Sequence, residues 1–301
     1  MENMANNFII ECPKCEWQPD GKPHWSCSCG HTWNTFDTKG KCPSCNKQWE
    51  VTYCPGCGHT STRKDWYIDP AISKEEEEPG IEELKRRKRI FERRMTSLGI
   101  NKYRIVYLKY LDPTDMEFRS PYEVGCRLLI LYSVAYCVHH LKDRQKIIDW
   151  FKREELWDKV SRKEKAFLSK RKPDQKELQG FSWRLEGALT LGWALSLVDS
   201  LHEIDHDETD EEMQAFVAAI PKPEEGTKEF LEKLSYRNLE QIYEENLVNE
   251  LVTAYFRDLY ISGGKEETPI NRMASYERHR TLNWVRQFSG VADWDETDTS
   301  T

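Results

Sequence analysis

Apolar side chains recur at helical spacing through most of residues 81–299, and polar capping signals mark where helices begin. Ser120-Pro121-Tyr122-Glu123 is a capping box with proline at the first helical position, so it predicts a helix running to about Leu141. The same pattern returns at Ser161/Glu164, Asp174/Glu177 and Thr209/Glu212, each ahead of an apolar-periodic stretch. No repeat of fixed period joins them. An earlier helix is predicted over roughly 81–98 and closes at Gly99, a residue free to take the left-handed turn that ends helices. Its Glu82/Arg86 and Glu83/Arg87 pairs have the favourable i,i+4 order, and seven basic side chains lie between Lys85 and Arg94. A solvated helix face is the simplest account of that run. Residues 101–119 are β-branched and aromatic with breakers, which predicts irregular chain or a short strand.

The segment 175–200 is apolar nearly all round, so it is expected to form one helix at the centre of the domain. One stripe holds Leu185, Leu189, Gly192 and Leu195/Ser196; a second holds Trp183, Glu186, Thr190, Trp193 and Leu197. Glu186 thus sits on an inward face, where an unpaired carboxylate is costly. The last long helix, capped at Thr268-Pro269 and buried along Ile270, Met273, Leu282, Val285 and Phe288, offers a partner. Glu277-Arg278-His279-Arg280 interrupts its apolar pattern, so a buried polar network is expected to join Glu186 to Arg278 or His279. A buried ion pair that confers specificity is the structural reading; an acid/base centre or a small-ligand site is the functional one. His139-His140 are further possible metal positions. The letters His202-Glu203-Ile204-Asp205-His206 match H-E-x-x-H, but they follow an apparent helix end, where that motif needs a continuous helix. An exposed polar helix end is the plainer expectation there.

Cysteine changes the picture at the other end of the chain. Eight of the ten lie in four close pairs: Cys12/Cys15, Cys27/Cys29, Cys42/Cys45 and Cys54/Cys57. No secretory pattern opens the sequence and no apolar run reaches the roughly 20 residues of a membrane span, so a reducing cytoplasm is expected. In that compartment close pairs are metal ligands. Eight thiolates fill two closed four-cysteine zinc sites, which are structural because no position is left for water. Gly30 and Gly58 stand where the backbone must curl beneath the metal. Neighbouring pairs group as Cys12/Cys15/Cys27/Cys29 and Cys42/Cys45/Cys54/Cys57, with 11 and 8 residues between them. A cross-brace joining the first pair to the third is the alternative. His24, His31 and His59 lie nearby as surface residues or supports.

Trp17, Trp25, Trp33, Phe36, Trp49, Tyr53 and Trp66 punctuate the same segment, either covering the zinc loops or forming a face that stacks bases or grips a partner. Charge decides against nucleic acid: residues 1–66 hold 7 acidic and 7 basic side chains, and two zinc–tetrathiolate centres bring the segment to about −4. The whole chain, with 44 basic and 52 acidic residues, is −8. A basic protein partner suits that balance; the sequence sets no oligomeric state. The chemistry and periodicity together predict a mainly α protein. A small double zinc ribbon of short β-hairpins spans 9–66, an acidic linker 67–80, and a multi-helix domain 81–299.

Phe181-Ser-Trp183-Arg-Leu-Glu186-Gly-Ala-Leu-Thr-Leu-Gly-Trp193-Ala-Leu-Ser-Leu-Val resembles the W-x-x-E-A-L…L-W-A-L-G core of a bacterial family, domain of unknown function 4272. Arg94…Ser97-Leu98-Gly99-Ile100 resembles it too. So does Tyr276-Glu-Arg-His279-Arg-Thr-Leu-Asn283-Trp284, followed by Asp293-Trp294-Asp295…Thr297-Asp298-Thr299. The resemblance covers about 83–299 and implies a helical domain without a settled activity. It implies that Trp183, Glu186, Tyr276, Glu277, Arg278, Asn283, Trp284, Asp293 and Asp298 are where a site would lie. Gly187 stands where the family has alanine. The Asp-Trp-Asp run is expected to fold back on the last helix, because Trp294 needs burial. The leading functional expectation is a non-catalytic binding or scaffold protein in a bacterial defence or toxin-neutralising setting, docking through the ribbon. The alternative is an enzyme or small-ligand-binding protein with its site around Glu186, Glu277 and His279.

Overall fold

The computed structural model describes residues 9–68, 80–100, 105, 111–113, 117–205, 208–265, 268–297 and 299. The linker expected over 67–80 and the irregular stretch expected over 101–119 lie largely outside the described residues, as do His206 and Asp298. Contacts divide the chain into two units, residues 1–96 with 100–112 and residues 97–99 with 113–301.

In the first unit, β1 (Ile9–Ile10) pairs antiparallel with β6 (Tyr67–Ile68), joining the two ends of the cysteine-bearing segment. Between them lie two hairpins, β2 (Trp25–Ser26) with β3 (Thr32–Trp33), and β4 (Val51–Tyr53) with β5 (Thr60–Thr62). A single bridge between Lys41 and Gln48 makes a third. Strands of two or three residues bury little, so aromatic rings supply the core. Phe36 packs edge-on to Trp25 and tilted against Trp66, and Trp17 meets both tryptophans edge-on. Helix α1 (Ile81–Ser97) falls almost wholly in this unit, whereas composition alone placed it with the helices that follow. Its basic face is not simply solvated. Arg87 and Lys88 are buried, and Lys88 Nζ pairs with Glu16 Oε1 at 2.9 Å. Glu83 pairs with Arg86 and Arg87, while Glu82 pairs with Lys85 one residue short of the expected partner.

The second unit is helical: α2 (Pro121–His139), α3 (Arg144–Arg153), α4 (Arg162–Ser169), α5 (Gln175–Ser182), α6 (Arg184–Ala194), α7 (Asp210–Ala218), α8 (Lys228–Glu232), α9 (Leu239–Ser262) and α10 (Arg272–Val285). All four expected capping boxes form, with Ser120, Ser161, Asp174 and Thr209 each accepting from the backbone N–H three residues on. The apolar helix α2 packs along α6, and α10 packs against both α6 and α9. Gly192 permits one close approach, since a Cβ there would lie 2.7 Å from the Phe216 ring.

Two expectations fail here. The segment 175–200 is not one helix: Trp183 ends α5 and begins α6, so the continuous periodicity spans a break. The last helix starts at Asn271, whose side chain accepts from Met273 and Ala274 N–H, and not at Thr268-Pro269. Starting there turns Met273 outward, where it is 39% exposed. Helix α9, the longest, was not singled out because Asn246, Asn249 and Glu250 occupy its buried positions and blur the apolar period. No helix among the described residues is long and apolar enough to cross a membrane.

Candidate functional site

Each cysteine pair of the first unit sits in a loop of one design. The residue after the second cysteine is left-handed in all four: Glu16, Gly30, Asn46 and Gly58 have φ of 58°, 86°, 62° and 72°. Its N–H returns to the carbonyl of the first cysteine, in Glu16→Cys12, Gly30→Cys27, Asn46→Cys42 and Gly58→Cys54. The first cysteine's own N–H bonds forward to Trp17, His31, Lys47 or His59. Glycine supplies that conformation twice, and asparagine tolerates it; at Glu16 the turn itself imposes it.

The loops meet in a nested order that corrects the sequential grouping and also differs from the cross-brace. Cys12, Cys15, Cys54 and Cys57 form one tetrad, and Cys27, Cys29, Cys42 and Cys45 the other. The cause is β1–β6 pairing, which brings the first and last loops together and leaves the inner two to each other. Sulfur–sulfur distances across the tetrads are 3.8, 3.6, 3.5 and 3.7 Å. A tetrahedral ion with metal–sulfur bonds of about 2.3 Å requires edges of about 3.8 Å. The donors therefore fit a metal, and all ten cysteines are free of disulfides. His24 pairs with Asp20, and His31 stacks near Trp33.

In the second unit the charged residues of α10 face inward. Arg278 Nε donates to Glu186 Oε1 at 2.6 Å, and its Nη2 donates to the His202 carbonyl at 2.8 Å. Arg278 also lies 3.9 Å from Glu245. Burial pushes the Glu186 carboxyl up, but the His202 hydrogen bond and the Arg278 charge outweigh it and hold the pKa below the ordinary value. Glu277 belongs to a second group, bonded to Arg184 at 2.5 Å and Arg280 at 3.3 Å. Arg280 then donates to the Trp294 carbonyl and covers its ring at 4.3 Å. The Asp-Trp-Asp run thus folds back on α10. His279 bonds to Thr253 and Asn283, and Asn283 accepts from Asn246, a third group shared with α9. Glu186 and His279 are linked through α9, by way of Arg278, Glu245, Asn249 and Thr253, while Glu277 bonds to Arg184 and Arg280.

His202 is not on an exposed helix end. It lies on the loop between α6 and α7, 6% exposed, with Nε2 3.2 Å from Glu186 Oε2. Arg278, which donates to the His202 carbonyl, draws that loop in. His139 and His140 are exposed, the latter stacked on Tyr136.

A family described only as a domain of unknown function, DUF4272, matches residues 86–297, more than half of the chain. The protein belongs to the DUF4272 family. No curated protein and no solved structure matches the chain. Within the matched range, Glu186, Glu277, Arg278, Asn283 and Trp284 are buried, while Tyr276 and Asp293 are exposed. Trp284 packs edge-on to Trp294 and under Arg119, Asp293 caps the turn at Trp294–Glu296, and Glu186, Glu277 and Arg278 hold the pairs above. The cysteine-bearing ribbon lies outside the family match.

Proposed function

We propose that this protein is a non-catalytic binding protein, in which two structural zinc ions hold an N-terminal ribbon that docks a basic protein partner. The observation that carries this reading is where the polar groups of the helical unit are spent. Glu277, Arg278, His279 and Asn283 bond to their neighbours and line none of the larger cavities among the described residues, and Glu186, which borders a cavity of about 120 Å³, is held by Arg278 and His202. An acid/base centre needs a group presented to a substrate.

The ribbon offers the complementary feature. A cleft of about 230 Å³ is lined by Trp25, Trp33, Trp49, Val51 and Tyr53. Val51 and Tyr53 are each 51% exposed, which is unusual for large apolar groups in so small a unit. Aromatic faces beside two zinc–tetrathiolate centres, each of net charge about −2, favour a lysine or arginine side chain. Lys47 Nζ already lies 4.4 Å from the centre of the Trp49 ring. In a defence or toxin-neutralising setting the partner would be a basic protein.

The test is co-purification of the full chain from its native host, compared with a Val51→Ser/Tyr53→Ala double variant of unchanged zinc content. A basic protein recovered with the parent and lost with the variant supports the proposal. Recovery unaffected by the variant, or a bound small molecule in place of a protein, overturns it.

A further inference from the structure

The loop that carries His202 brings three metal-ligating side chains together. The Glu186 and Glu208 carboxylates and the His202 imidazole each place one ligand atom within 4.8 Å of the others. Glu186 and His202 are buried, and Glu208 is half-buried. We propose that this triangle is a third metal site, separate from the cysteine tetrads, which takes one divalent first-row transition ion.

Three features support it. The His202 Nε2 to Glu186 Oε2 separation of 3.2 Å is the edge expected between two neighbouring ligands on bonds of about 2.1 Å. Arg278 leaves Oε2 for the ion: it takes Oε1 of Glu186 and the carbonyl of His202, holding both ligands in place from behind. Such outer hydrogen bonds orient the ligands of metal sites. The loop is pinned a second time by the Asn271 N–H to the Ile204 carbonyl at 2.6 Å.

The donor set selects the ion. One imidazole and two carboxylates suit zinc, manganese, iron or cobalt, whereas calcium and magnesium prefer oxygen alone. Three protein ligands do not complete a coordination shell. The triangle borders two cavities, one of about 120 Å³ shared with Ser182, Trp183 and Asn271, and one of about 300 Å³ running past Glu212 and Asp199. Water or an oxygen of a ligand entering from those cavities would fill the open positions. Unlike the thiolate sites, this one is open, and an ion there ties His202 and Glu208 to Glu186 of α6.

Cobalt(II) titration of the full chain, brought to two zinc per chain by mild chelation so that only the cysteine tetrads stay loaded, tests this. The expected result is one equivalent of visible ligand-field absorption without the charge-transfer band of cobalt–thiolate bonds. His202→Ala and Glu208→Gln should each weaken that binding at least tenfold while far-ultraviolet circular dichroism stays unchanged. Glu208 is half-buried, and the unchanged circular dichroism of its variant separates ligation from folding. The proposal is overturned if no such absorption develops, if only a thiolate band appears, or if both variants bind as tightly as the parent.

Discussion

Glu186 is a carboxylate kept ionised in a place that by itself would favour the neutral acid. Its folded pKa lies below the ordinary 4.5, so its contribution to stability is complete above that value and is lost as pH falls through the folded pKa. Removing one partner of a buried ion pair leaves an uncompensated charge and costs about 3–5 kcal/mol. Glu186→Gln should therefore lower the urea midpoint of the helical unit at pH 7 by an amount equivalent to about 3 kcal/mol. It should also flatten the loss of stability on acidification below pH 4.5. A variant as stable as the parent at pH 7 would show that Arg278 finds another anion, with Glu245 as the obvious one. Arg278 as a partner for Glu186 follows from the sequence, because a buried acid on one apolar helix needs a cation and α10 carries the cluster that interrupts its own pattern. His202 as a second partner does not. It comes from a loop, and only the α10 guanidinium holding the loop carbonyl places the imidazole there.

At the scale of elements, caps were legible and breaks were not. A capping box acts over four residues, so Ser161 and Glu164 close the same ring of hydrogen bonds wherever the helix lies. The break at Trp183 is invisible to periodicity because apolar residues continue through it, and Asn271 was hidden by the more conspicuous Thr268-Pro269. Glycines of α6 show how packing then overrides propensity. Alanine gains about 1 kcal/mol over glycine in a helix interior. At Gly192 the added Cβ would meet two ring atoms of the fully buried Phe216 at 2.7 and 3.0 Å, and overpacking of that kind costs about 1–3 kcal/mol. Gly192→Ala should lower the thermal midpoint. At Gly187 the nearest atoms are the Thr281 hydroxyl at 2.9 Å and the end of Leu131 at 3.1 Å, both on side chains that can turn away. Gly187→Ala should stay within about 1 kcal/mol of the parent, in keeping with the alanine found there in the family pattern; a large loss in calorimetry would contradict this.

For the molecule as a whole, the nested order of the cysteine pairs is open to a direct count. Substituting alanine at Cys12, Cys15, Cys54 and Cys57 should lower the zinc content by about one ion per chain by atomic emission, because all four lie in one tetrad. Substituting Cys12, Cys15, Cys27 and Cys29 should lower it by about two; a sequential arrangement would reverse the two results. Residue types and local spacing are enough to mark the cysteine tetrad donors and four capping boxes, because a cysteine pair and a capping box each act within a few residues. Which loops share a cysteine tetrad, which loop delivers His202 to Glu186, and how α9 links Arg278 to His279 were decided only by tertiary structure. Those relations join residues tens of positions apart, and they depend on the pairing of β1 with β6 and the seating of α10 between α6 and α9, which no local pattern encodes.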